Sequence, residues 1–357
     1  MMEMNTPKIL RKTSPYLKRP QANVTRMMRD VTIALMPVTI FAIYKFGIAA
    51  LIILLISIAT MAGTEYLYYQ FKDLSDGESF KLKNKSFTLY NFSAITSGLI
   101  FGLTLPDNTA WWIIVIGGSV GLFLGKLIFG GMGQNIFNPA ALARLIVVVT
   151  YGTVISYDID SSAGATALEL IAQNPFSVDV ISNYPLMDLF TGMAIPGSIG
   201  EVSAILLIIG GLYLALRTSF EVRIPLAFVG TVFVLALAVG LYTPGLNAIE
   251  YAMFHVLSGG LLFGAIFMAT DPITSPITKP GRIAAGFMMG FITFIIRLFG
   301  AYPEGVVFSI VIMNMFVPSF DYFKWSKSQI LKKRVYIFIG VVLLSIIVTL
   351  VGVYYAR

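Results

Sequence analysis

Thr166-Ala167-Leu168-Glu169 follows Asp160-Ser161-Ser162-Ala163-Gly164-Ala165 in the middle of an otherwise apolar chain. Thr-x-x-Glu ahead of an apolar run is a capping box, which would make Thr166 the cap of a short helix. The same geometry suits other chemistry. A helix N-terminus offers free amides to a phosphate, and a phosphate esterified to the Thr166 hydroxyl would sit among them. The small residues Ala163, Gly164 and Ala165 leave room for a bulky group. Spacing alone leaves both readings open.

Three further clusters could carry chemistry. Gly130-Gly131-Met132-Gly133-Gln134-Asn135-Ile136-Phe137-Asn138-Pro139-Ala140 joins a tight glycine turn to Asn-Pro. Asn138 can cap a helix with Pro139 in its first turn, and the positive end of that helix would face a ligand, flavin or ion. No strand precedes the turn and no G-x-G-x-x-G is present, so it is not a dinucleotide fingerprint. Thr270-Asp271-Pro272-Ile273-Thr274-Ser275-Pro276 places a carboxylate among hydroxyls, where Asp271 could bind a cation or cap a helix. Tyr302-Pro303-Glu304-Gly305 with Asn314 forms the third set. Arg144 and Arg297 fall inside apolar segments, where ionisable groups are costly and often functional. His255 is the single histidine and reads as a packed, hydrogen-bonded residue.

The elements that position these groups are membrane helices. The chain has 357 residues, 57% hydrophobic and 12% charged, with a mean hydropathy of +0.83. Soluble domains carry about twice that charge. Apolar blocks of roughly 20 residues match a bilayer, and strands of strict alternation are absent. The reading is an all-α polytopic membrane protein. There is no cysteine, so iron–sulfur ligation by this chain is excluded. With one histidine, a multi-histidine metal or haem site is not expected.

Eleven spans are predicted, at 31–47, 48–71, 88–105, 110–130, 136–151, 199–216, 224–242, 250–269, 283–299, 304–317 and 335–355. Of the 25 lysines and arginines, 21 fall on one side if the N-terminus is cytoplasmic, as the positive-inside rule requires. Lys126 is counted among these inner cations. The net charge of +7 therefore reads as topology, and no nucleic-acid partner is expected. Loop 152–198 has no Lys or Arg and is placed on the outer face. The basic N-terminal segment would contact a soluble partner protein or lipid headgroups.

Five spans precede that loop, so a second copy of the unit would be inverted. Traces of one exist. Ser97–Gly102 resembles Ser258–Gly264, Pro106-Asp107 is echoed by Asp271-Pro272, and Gly121 and Gly125 match Gly286 and Gly290. The expected organisation is a basic segment (1–30), a first membrane repeat (31–151), the outer loop (152–198), a second repeat with broken helices (199–318), and a basic loop with an extra helix (319–357). That makes ten or eleven membrane helices. From the repeat alone, a small-solute channel or transporter is the alternative function.

Asp160–Thr166 resembles the flavinylation motif D-x-x-[ST]-G-A-[TS], with Ala163 in place of the usual hydroxyl residue. Gly130–Ala140, Gly259–Pro276 and Ala301–Asn314 are similar to signature blocks of the RnfD/NqrB family. The resemblance spans about residues 20–320. It implies FMN joined to Thr166 through a phosphoester, with Asp160, Gly164 and Ala165 completing the motif. It also implies a second, non-covalent flavin, riboflavin, which no motif here locates. Gly133, Asn135, Asn138, Asp271, Glu304 and Asn314 are the candidate flavin- or ion-lining residues. The implied function is electron relay between ferredoxin and NAD within the cytoplasmic membrane, coupled to Na⁺ or H⁺ export. Implied partners are the membrane and peripheral flavin and iron–sulfur subunits of the complex, a flavin transferase and membrane lipid. The chain is expected to hold no metal, to bind neither ferredoxin nor NAD itself, and not to be catalytic alone. Extra negative charge on a reduced flavin would favour cation uptake near Asp107, Asp271 or Glu304.

Overall fold

A computed structural model describes residues 24–75, 91–152, 185–192, 197–201, 203–300, 305–322 and 331–356. Among these residues every regular element is helical. All eleven predicted spans are helical over most of their length. Helix α1 (Val24–Ser75) covers the first two, broken at Gly47, whose φ of 67° and ψ of −148° interrupt the helix. Then come α2 (Ser93–Leu103), α3 (Trp111–Leu122) running into a π turn (Phe123–Leu127), and α4 (Pro139–Tyr151). A short α5 (Leu186–Thr191) precedes α6 (Ala204–Leu216) and α7 (Arg223–Tyr242). The next span is bent. Helix α8 (Ala248–Leu257) meets α9 (Leu261–Phe263), which runs on as a second π turn (Gly264–Met268), at an angle of 59°. Helices α10 (Lys279–Phe299), α11 (Gly305–Tyr322) and α12 (Leu331–Ala356) complete the chain.

The protein is an all-α, multi-pass membrane protein. Among the described residues, four helices are long and apolar enough to cross a bilayer alone, and the bent pair makes a fifth. Five others are apolar but only 10–17 residues long. At 1.5 Å per residue these fall short of the hydrocarbon thickness.

The two halves repeat one packing scheme. In the first, α1 packs on α2 and α3, and α3 on α4; in the second, α7 packs on α8 and α10, and α10 on α11. Contacts of α1 with α6 and of α4 with α11 join the halves. The glycines serve different neighbours in the two copies. A Cβ on Gly121 would run into Ala143 of α4, whereas one on its match Gly286 would lie 2.7 Å from the Ile224 carbonyl of α7. Close approach through small residues is therefore common to both halves, but the seams are not the same seam. Helix α12 lies at the edge, with many of its large apolar side chains exposed, as a lipid-facing helix should be.

At one end, the segment that follows residues 152–198 clips the halves together. Ile199 N–H donates to the Leu105 carbonyl at 3.0 Å and Gly200 N–H to that of Leu103 at 2.6 Å. Nearby, Lys45 Nζ donates to the Gly192 carbonyl at 2.9 Å, tying the apex of α1 to the end of α5.

Candidate functional site

At the other end, the halves meet around a crevice of about 600 Å³, its open mouth included, lined by Ser93, Lys126, Asn135, Asn138, Ser219 and Asp271 among others. Each side chain is placed by a local feature of the sequence. Asn138 caps α4 as the Asn-Pro pair predicts: its Oδ1 accepts from Ala140 N–H at 3.0 Å and Ala141 N–H at 3.3 Å. Its Nδ2 reaches across to the other half and donates to the Met268 carbonyl at 3.0 Å. That carbonyl closes the second π turn. Asn314 of α11 completes the joint. In the amide orientation that satisfies its neighbours, it accepts from Asn138 N–H at 2.9 Å and donates to the carbonyls of Thr274 and Ile310, both at 3.2 Å. Three predicted segments thus come together around one helix start.

Asp271 lies just beyond, in the turn between the second π turn and α10. It accepts from Thr274 Oγ1 at 3.0 Å and, at 3.5 Å, from Ile273 N–H. Burial raises its carboxyl above the ordinary carboxylate value. The Thr274 and Ile273 hydrogen bonds and the charge of Lys126 oppose that shift without cancelling it. Asn135 is 7% exposed. Its Nδ2 donates to the Phe137 carbonyl at 3.3 Å, and its Oδ1 has no hydrogen-bond partner.

Lys126, counted from sequence among the inner cations, is 1% exposed and held by the first π turn. Such turns insert one extra residue per turn and re-aim side chains, often at functional sites. Its Nζ meets Glu65 Oε2 at 2.7 Å and Ser93 Oγ at 3.0 Å. Glu65 is also 1% exposed. The sequence reading passed over Glu65, although a lone carboxylate inside the 48–71 span was the signal. It passed over Asp30 as well, which is 1% exposed and accepts from Ser219 Oγ at 2.6 Å and Arg217 Nη2 at 3.2 Å.

A wider adjoining crevice of about 1050 Å³ is lined by Glu221, Arg223 and Arg282. Arg223 Nη1 lies 2.6 Å and Arg282 Nη1 3.0 Å from the Glu221 carboxylate. Partial burial works against the charge of Glu221. The hydrogen bond from Arg223 and the charges of Arg282 and Arg223 outweigh it and hold the carboxyl below its ordinary value.

Not every candidate joins the site. Gly133 is exposed in the turn before Asn135, with a φ of 95°. Arg144 is buried within α4. Arg297 lies at the far end of α10. His255 is packed edge-on against Tyr251, Phe254 and Phe294, but neither ring nitrogen has a hydrogen-bond partner, contrary to the expected hydrogen-bonded residue. Asp160, Gly164, Ala165, Thr166 and Glu304 lie outside the described residues.

Residues 10–329 match the NQR2, RnfD, RnfE family. The chain belongs to that family. Its relatives include the D subunit of the Na⁺-translocating ferredoxin:NAD⁺ oxidoreductase complex of Acetobacterium woodii, 34% identical over 93% of this chain and 96% of the relative. The D subunit of the proton-translocating complex of Clostridium ljungdahlii is also 34% identical, over 87% and 93%. The B subunit of the Na⁺-translocating NADH-quinone reductase of Chromohalobacter salexigens is 37% identical, but over 65% of this chain and 58% of the relative. Within the family, alignment thus runs nearly end to end with the D subunits and only partway with the B subunit. Equal identity to a Na⁺-named and a proton-named relative leaves the ion unassigned.

Proposed function

We propose that this chain is the D-type membrane subunit of an ion-translocating ferredoxin:NAD⁺ oxidoreductase complex, carrying covalent FMN on Thr166. The observation that carries the reading is the near full-length similarity to D subunits, and the Asp160–Thr166 pattern in the acidic loop agrees with it. The loop faces outward and the N-terminus inward, by the distribution of lysine and arginine. The membrane is the cytoplasmic one, and the partners are the other subunits of the complex, a flavin transferase and lipid.

FMN, once attached, supplies reversible electron transfer at the outer end. The chain's own part is to hold and insulate. The Thr166 hydroxyl provides the ester oxygen, and Gly164 and Ala165 keep the approach open. At the inner end, the Asp271 carboxylate and the unpartnered Asn135 Oδ1 line one crevice. Oxygen donors of this kind suit a hard cation, and the open Asn135 amide oxygen suits a donor on the polar edge of a second flavin such as riboflavin. Asp271 is half-buried at the crevice wall, so its charge responds to a neighbour gaining or losing charge, which is what coupling needs.

Inverted membrane vesicles test this. Reduced-ferredoxin-dependent NAD⁺ reduction should be accompanied by ion uptake in vesicles with the intact chain, and both should vanish when the chain is absent. Unchanged activity without it would overturn the reading.

A further inference from the structure

Each half of the protein contains a helix break met by a buried cation. In the first half, Phe92 takes the left-handed conformation, φ 57°, just before α2. Lys126, from the last turn of its helical segment, reaches Ser93 directly after that break. In the second half, Gly259 and Gly260 are left-handed, φ 62° and 64°, and separate α8 from α9. Arg297, in the last turn of α10, reaches that break. Each half thus holds a buried cation beside a left-handed backbone turn, a lysine in one and an arginine in the other, although the glycine match of Gly125 with Gly290 does not align the two positions.

The geometry at the second break is that of a cation site. Arg297 Nη1 donates to the His255 carbonyl at 2.6 Å. Its Nη2 donates to the carbonyls of Ser258 at 3.1 Å and Gly259 at 3.0 Å. Three backbone oxygens thus converge on one group at the negative end of α8. Unwound helices in membrane proteins coordinate ions through such carbonyls. Arg297 is 2% exposed, so no bulk water shares the task. On the other side of the break, a Cβ on Gly260 would overlap the Glu201 carboxylate. A negative group therefore faces the start of the following segment, where helix amides carry partial positive charge.

We infer that the break between α8 and α9 is a cation-coordinating position whose permanent occupant is the guanidinium of Arg297. A lysine can give up its proton or swing away, but an arginine stays charged and its planar fork fixes several acceptors at once. The second half is thereby closed to a mobile cation at this break. If Arg297 is shortened, the vacated carbonyls should take a small monovalent cation, guanidinium best of all. The inference does not depend on flavin at Thr166.

The test is thermal unfolding of the full chain in detergent, in choline chloride, sodium chloride and about 10 mM guanidinium chloride, a concentration low enough to act as ligand. Wild type should show the same midpoint in all three. Arg297→Ala should unfold at lower temperature in choline and regain roughly 2–4 °C in guanidinium. Arg297→Ala with the wild-type midpoint, or with no response to either cation, overturns the inference. Should Arg297→Ala fail to accumulate, Arg297→Lys decides. It keeps a cation among the carbonyls, so it must accumulate and show no cation response. Its failure to accumulate, or a Na⁺ response equal to that expected of Arg297→Ala, also overturns it.

Discussion

Replacing Lys126 with methionine keeps the length and apolar stem of the side chain but removes the charge that faces Glu65. The two atoms are 2.7 Å apart and both side chains are almost completely buried. At an effective dielectric of 20 their attraction is about 6 kcal/mol. Taking both charges out of water cancels much of that, so the intact pair adds little net stability. Removing one partner is different, because Glu65 is then left ionised and alone, or must take up a proton. That costs about 3–5 kcal/mol, a fall of roughly 5–15 °C in unfolding midpoint. Adding Glu65→Gln to Lys126→Met should restore most of the loss, since no uncompensated charge remains. The assay is a double-mutant cycle by thermal unfolding of the full chain in detergent. If Lys126→Met alone is as stable as wild type, or if the two losses simply add, the pair is not the closed, buried unit described here.

Asn138→Ala removes both the cap of α4 and the bond to Met268, and should cost about 2–3 kcal/mol, measured by the same unfolding assay. Asp271→Asn and Glu304→Gln should each depress ion uptake by vesicles more than electron transfer; normal pumping in both would remove these carboxylates from the coupling path. Glu221 has its carboxyl held below the ordinary 4.5, so it binds fewer protons folded than unfolded. Its stabilisation is present above that value and is lost as pH falls through the lowered one. Acid unfolding curves of wild type and Glu221→Gln should therefore converge as the pH drops below about 4.5 and separate above it.

The helices were legible because a bilayer demands long apolar segments, and those segments dominate this composition. Asn138 was legible because Asn-Pro has one favoured use, at a helix start. The turn around Asp271 followed from its prolines and hydroxyls, but its meeting with Asn138 and Asn314 is set by tertiary packing, which no local pattern records. The burial of Lys126 was not legible, because a π turn leaves no periodic mark in sequence. Glu65 escaped notice because its partner lies 61 positions away, and nothing in a linear pattern announces a pair that distant. The glycine matches between halves mark close approach correctly but not which helix approaches, since that depends on tertiary packing. Arg297 was recognised as costly inside a span, yet its carbonyl acceptors required the bend between α8 and α9 to be seen.

The most direct measurement is flavin fluorescence on a denaturing gel. The full chain is expressed with and without a flavin transferase, beside Thr166→Ala. A fluorescent band that requires both the transferase and Thr166 is the predicted result. A dark band in every lane, with the chain present and membrane-inserted, would make Thr166 a helix cap and contradict the account.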